Sequence, residues 1–368
     1  MQNTTFYHGS HARISAEPVT DKALWDRFVD ESPNAQLFHK WDFLHIQEKY
    51  TGYRLYPCGI YRGDELISLI PLFHKNKKGF NFVYSPPQAK LSYIPYMGLA
   101  LSPACYRLPP REKIGLVCQI VSEADRFARR FSPGYTSFAV GPGEVDIRPY
   151  LWNGYEAELQ YTYTFDLAKP LEELWSSLDK RCRTNITGAR KENLSLVRSK
   201  DARKFFELMT GRLDDEGSTF FHRQTYRYLE EMLAAFPDNV KLYFLHRGDE
   251  LVGADVNYEY RGWCTSWMGT AAGRDGFNAN EYLLWELITR AKAAGFRTYE
   301  NLGADELRLN LFKSKFNPDL VPYFYITKKN RLFRLATYGS EKVSKILGSH
   351  TVAGMAHENV NRIKESKQ

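Results

Sequence analysis

Residues 299–318 read YENLGADELRLNLFKSKFNP and set Asn301, Asp305, Glu306, Lys313 and Lys315 around one turn. Tyr299, Asn301 and Leu302 read as the end of a strand, Gly303 as a turn, and Asp305-Glu306 as the acidic first turn of a helix. A lysine on that helix, Lys313, can carry its ammonium to the C-terminal edge of the strand. There it can bind phosphate or stabilise the oxyanion that forms when an acyl carbonyl is attacked. Lys313 and Lys315 equally fit a solvated helix face, and on both readings Lys313 is expected to face the surface and to contribute little to stability.

The elements that position this turn occur twice. Phe38-His39-Lys40 precedes a helical stretch and then YPCGIYRGDELISLIPLF; Phe221-His222-Arg223 precedes a second helical stretch and then KLYFLHRGDELVGADVNYEY. The pentapeptide RGDEL stands at 62–66 and again at 247–251. Its Gly-Asp between alternating apolar runs is hairpin-turn chemistry rather than an adhesion motif. Each copy continues alike: SYIPYMGLAL, a helix from Arg111 to Phe131 and the strand TSFAV in the first, WCTSWMGTA, NEYLLWELITRAKAAG and RTYENLG in the second. Such a duplication predicts an N-terminal extension 1–16, a first unit 17–165, a second unit 166–330 and a basic helical segment 331–368.

This element order resembles that of a GNAT-like acyltransferase domain, and two such units in one chain resemble the FemABX family of aminoacyl and acyl transferases. Three stretches carry the likeness. LDKRCRTNITGARKENLSLV (178–197) is similar to the family's Arg-x-x-Ile-x-x-Ala-x-Lys helix, with Arg183, Ile186 and Ala189 at three-residue spacing on one face. NANEYLLWELITRAKAAGFRTYENLGA is similar to its Asn-x-x-Leu-x-Trp-Glu helix and following strand, and Phe312-Lys313 to a Phe-Lys pair that faces the acceptor. The resemblance implies an α+β chain of two tandem GNAT-like domains, each a mixed, mostly antiparallel sheet flanked by helices.

By the same resemblance Lys313 and Asn301 are catalytic, and Lys49, Arg183, Phe312 and Tyr282 bind the acceptor. Gly273, Gly276 and Asn280, from GRDGFNAN, present amide groups to the donor. The sequence also departs from the family. Where peptidoglycan-building members end the last strand in Asp-Phe-Gly, this chain has Asn301-Leu302-Gly303, with Glu300 directed to the other face, and YMGLALS lacks an acidic residue. GRDGFNAN is also a poor match to the coenzyme A loop of GNAT enzymes. No carboxylate base is identified at either place.

Composition bounds the rest. At 368 residues, 43% hydrophobic and 15% aromatic, the chain can build two cores. Its densest apolar run, from Leu66 to Phe73, is broken by Ser68 and Pro71, and the N-terminus lacks a signal-peptide core, so a soluble cytoplasmic protein is expected. The five cysteines are scattered without a Cys-x-x-Cys pair, and no metal site is expected. From Lys328 to Gln368 nine Lys or Arg stand against three Glu, a net +6 of the chain's +7. A tail of that kind suits an anionic partner: a phosphorylated or lipid-linked precursor, tRNA, or the inner membrane face. The expected activity is transfer of an acyl or aminoacyl group from acyl-CoA or aminoacyl-tRNA, as co-substrate and not tightly bound cofactor, to the amine of an envelope sugar or peptide precursor. The alternative is a catalytically silent module that binds a phosphorylated glycan or lipid carrier; a nucleic-acid-binding protein would rest on the basic tail alone.

Overall fold

Both RGDEL stretches fold as hairpin turns in which glycine takes left-handed backbone, Gly63 at φ 59° and Gly248 at φ 55°. The computed structural model describes residues 12–88, 94–215, 225–271, 279–305 and 307–337. These form two compact units: residues 12–88, 94–160 and 322–337 in the first, and 161–215, 225–271, 279–305 and 307–321 in the second.

Unit 1 contains β1 (Ile14–Pro18), α1 (Lys22–Glu31), α2 (Trp41–Thr51), β2 (Arg54–Arg62), β3 (Glu65–Lys77), β4 (Phe80–Ser85), β5 (Ala100–Leu101), α3 (Pro103–Arg107), α4 (Pro110–Ala128), β6 (Tyr135–Val140) and α5 (Arg148–Trp152). The chain then passes along β7 (Glu156–Asp166) into unit 2, so the sequence boundary at 165/166 falls at the end of that strand. Unit 2 adds α6 (Leu171–Ser177), α7 (Lys180–Ala189), β8 (Leu194–Ser199), α8 (Ala202–Asp215), α9 (Thr225–Ala235), β9 (Val240–Arg247), β10 (Glu250–Tyr260), β11 (Trp263–Ala271), α10 (Ala279–Ala293), β12 (Thr298–Asn301) and α11 (Leu307–Lys313). Finally β13 (Asp319–Lys329) and α12 (Arg331–Thr337) return the chain to unit 1.

The two units share one strand plan. Unit 1 orders its strands β1-β2-β3-β4-β6-β13, with β5 on β3, and unit 2 orders them β8-β9-β10-β11-β12-β7. All these pairs are antiparallel except β4–β6 and β11–β12. Each parallel pair brackets a long helix, α4 in unit 1 and α10 in unit 2, as a crossover between parallel neighbours requires. α4 buries Leu116, Ile120, Val121, Ala124 and Phe127, one stripe at helical spacing, and α10 buries Leu283, Leu284, Leu287, Ile288 and Ala291. These stripes form the main core of each unit.

The units differ where the parallel strands end. In unit 2 the β11–β12 pairing stops at Ser266↔Asn301, while β11 runs on to Ala271. A bulge at Trp267, between the Val256↔Met268 and Asn257↔Ser266 pairs, kinks β11 at the same level. In unit 1 the corresponding place is filled by the unit's own chain: Met97 bridges to Val140, its N–H donating to Ala139 O at 2.9 Å, and the Gly98 N–H donates to Ser85 Oγ at 3.2 Å. Gly98, at φ 73°, allows this approach, since a Cβ there would lie 3.1 Å from Ala139 O.

His39 is buried beside this insertion. Its Nδ1 accepts the Gln36 N–H at 3.1 Å, which fixes the neutral ring, and burial lowers its pKa from 6.5 to about 4. Neutral His39 therefore stabilises the fold fully above pH 6.5, and that contribution is lost as pH falls from there toward about 4. We expect the melting temperature of the protein, relative to that of His39→Asn, to fall between pH 7 and pH 5. Equal slopes in the two proteins would remove His39 as the cause.

Candidate active site

At the end of β12 the chain reverses at Gly303, whose φ of 89° an L side chain rarely adopts. The turn is tied down by Asp305, whose carboxylate accepts the Tyr161 N–H of β7 at 2.9 Å, and α11 by Asn310, which donates to Tyr163 Oη at 2.6 Å. Phe316, fully buried just beyond α11, anchors the other end. Lys313 is thereby fixed over the turn: its Nζ donates to the Leu302 carbonyl, and a Cβ on Gly303 would lie 3.6 Å from it.

The structure corrects the expectation that Lys313 faces the surface. Its residue is only 8% exposed, because α11 packs this side against the end of β12. An ammonium held there is desolvated, a cost that an acidic neighbour offsets.

The acidic neighbour is Asp255, in the interior of β10. It is buried, accepts from Ser266 Oγ at 3.0 Å, and interacts electrostatically with Lys313. Burial pushes the Asp255 carboxyl well above the ordinary carboxylate range, opposed by the Ser266 hydrogen bond and the Lys313 charge. Gly269 on β11 makes room for it: a Cβ there would sit 1.9 Å from Asp255 Oδ2. Beside it the Tyr299 hydroxyl donates to Asn257 Oδ1 at 3.4 Å, its own pKa raised by burial and then by Asp255. Asp255, Ser266, Tyr299, Asn301 and Lys313 thus gather where β11 and β12 part. A carboxylate of raised basicity next to an ammonium can take a proton from an amine while the ammonium meets a developing oxyanion.

Alternation along β12 sends Glu300 to the opposite face, as the sequence implies. There its buried carboxylate accepts from Thr162 Oγ1, Trp263 Nε1 and Thr265 Oγ1 at 2.9–3.0 Å. The other sequence-derived residues lie on separate elements. Arg183, on α7, donates Nη1 to the carbonyls of Ser176 and Leu178 and so caps α6. Asn280 pairs with Ala271 in both directions, accepting its N–H at 2.8 Å and donating to its carbonyl at 3.0 Å, which clamps the start of α10 to the end of β11. Tyr282 is half-buried against the unit 2 core, as is Phe312, whose ring meets Phe316 edge-on at 5.7 Å. Lys49 is exposed on α2 in unit 1, with Nζ 5.2 Å from the Tyr50 ring centroid. Gly273 and Gly276 lie outside the described residues.

Asp255 escaped the sequence reading, although an acid inside the apolar strand GADVNYEY was the signal that could have found it. Among the described residues no cluster of His, Cys, Asp or Glu could hold a metal ion, and no helix is long and apolar enough to cross a membrane.

Residues 180–314 match the family described as Acetyltransferase (GNAT) domain, a span that covers α7 to α11 and the whole Asp255–Lys313 group. Among solved structures, the chain is similar to FemX, with 12% identity, 88% of this chain and 99% of that chain covered, and a TM-score of 0.65. It is similar to L-PGS from Bacillus licheniformis at 13% identity, 91% and 96% coverage and a TM-score of 0.54. A tandem GNAT protein from the clavulanic acid biosynthesis pathway, solved without AcCoA, gives 12% identity, 86% and 98% coverage and a TM-score of 0.51. None of the curated proteins compared with the chain matches it. These likenesses are of fold, and the fold is the FemABX-like, tandem GNAT arrangement of mixed α/β units.

Proposed function

We propose that this chain, with its FemABX-like GNAT fold, is an N-acyltransferase that moves an acyl group from a thioester or ester donor onto the amine of an envelope sugar or peptide precursor. The observation that carries the reading is the parting of β11 from β12 beside Asp255 and Lys313. β11 runs on to Ala271 beyond its last β12 pair, Ser266↔Asn301, so the two strands diverge at the level where an extended, amide-bearing donor arm would enter. This favours the pantetheine of acyl-CoA. An aminoacyl-tRNA, the other donor the FemABX resemblance implies, would present its ester at the same place.

Both donors are already activated, so the protein has to orient the amine, remove its proton and stabilise charge on the carbonyl oxygen. Asp255 takes the proton as the amine attacks, and its raised pKa brings it nearer to that of the amine it serves. Lys313, preorganised by the Leu302 carbonyl, stabilises the tetrahedral oxyanion, and Asn301 lies at the same strand end. Lys49 and Arg183 remain the groups proposed to meet a phosphorylated acceptor, and Phe312 and Tyr282 to contact its body.

The test is to incubate the full chain with acetyl-CoA, or with charged tRNA, and a panel of UDP-amino sugars and amino-terminal peptides, and to look for N-acylated product by mass spectrometry. Product formation with release of free CoA or uncharged tRNA is expected. Binding of precursor without product from either donor would replace this reading with that of a silent carrier-binding module.

A further inference from the structure

One end of the unit 1 sheet gathers basic residues from elements far apart in sequence. Lys77 pairs with Phe80 across β3–β4, and Lys78 heads the turn between them. Arg54 opens β2 opposite His74, and the His74 ring stacks at 5.1 Å on Phe131, the neighbour of Arg130. α12 closes the same end: its buried Phe333 meets Phe80 and Phe82 edge-on at 5.1 and 5.6 Å, while Arg331 and Arg334 stay outside. Arg54, Lys77, Lys78, Arg130, Arg331 and Arg334 are all exposed. Of the acidic groups nearby, Glu156 pairs with Arg334 at 3.0 Å, Asp125 with Lys328 at 3.0 Å and Arg129 at 3.3 Å, and Glu158 accepts from Gln160 Nε2 at 2.8 Å.

Set among these charges, Leu332 is 72% and Leu335 is 74% exposed. They stand three residues apart on the outer face of α12, opposite Phe333. We propose that this end of unit 1 docks on an anionic lipid surface, with Leu332 and Leu335 entering the headgroup layer and the surrounding basic side chains meeting lipid phosphates. The proposal deepens the membrane contact expected from the basic C-terminal stretch by assigning it to a composite surface, and it stands whether or not the chain transfers acyl groups. A nucleic acid fits the charge but not the leucines, since it recruits aromatic faces to stack its bases. Here the rings of Phe82, Tyr84 and Tyr135 are instead buried around Phe333.

The full chain should co-sediment at low salt with vesicles of phosphatidylglycerol and phosphatidylcholine and not with phosphatidylcholine alone. Lys77→Gln and Lys78→Gln should each weaken binding about fivefold, and the pair Leu332→Ser/Leu335→Ser should abolish it at unchanged melting temperature. The proposal fails if anionic vesicles are not bound, or if binding survives loss of both leucines. It also fails if the leucine variant melts earlier with vesicle binding intact, which would seat those side chains on the protein itself. Binding of bulk tRNA in preference to vesicles, unaffected by the leucine changes, would make the surface one for nucleic acid.

Discussion

Asp255→Asn should lower kcat for amine acylation by about 10²–10⁴-fold and at the same time raise the melting temperature at pH 8. The two effects have one origin. Burial holds the Asp255 carboxyl well above its ordinary value of 3.8, so above that value the folded protein binds this proton more tightly than the unfolded chain does. Stability therefore falls as pH rises beyond the ordinary carboxylate range, by the linkage between proton binding and folding. Asparagine has nearly the same shape, can still accept from Ser266 Oγ, and does not ionise. The difference in melting temperature between variant and parent should thus widen as pH rises above the ordinary carboxylate value of 3.8. Transfer activity within threefold of the parent would show that Asp255 is a structural acid only.

Lys313→Met should lower kcat by about 10²–10³-fold, the usual loss when a single oxyanion partner is removed. Methionine keeps the apolar stem in place. The Leu302 carbonyl then loses its donor, which costs about 1–3 kcal/mol for a buried acceptor, while desolvation of a buried ammonium is relieved; the net change in stability is expected to be small. A second readout separates catalysis from packing. Lys313 is the positive group that pulls the Asp255 pKa down, so the residual activity of Lys313→Met should need a higher pH than that of the parent. An acid limb that stays where it was, with kcat unchanged, would reduce Lys313 to an anchor for α11.

The local elements around this site were legible because each follows from short-range chemistry. Gly-Asp between alternating runs gave both hairpins, apolar residues at helical spacing gave α4 and α10, and period-two alternation placed Asn301 and Glu300 on opposite faces. What was not legible depends on partners distant in sequence. Nothing local in DLVPYFYITKK says that β13 pairs with β6, nearly two hundred residues earlier by numbering. The burial of Lys313 depends on how α11 packs, and the importance of Asp255 on Ser266 and Gly269 from the adjacent strand. Arg183 was legible as a residue beside a packed stripe, but its hydrogen bonds go to the carbonyls that end α6, which spacing along α7 does not reveal.

The return of β13 has a consequence for how the protein is made. The sheet strands described in unit 2, β7 to β12, leave the ribosome in one uninterrupted run, whereas unit 1 waits for residues 324–329 to cover the free edge of β6. A nascent chain that has completed β6 still exposes that row of backbone donors and acceptors throughout synthesis of the second half. The half made first is therefore the half finished last, and a gene divided at the repeat boundary would leave its first product with an open edge.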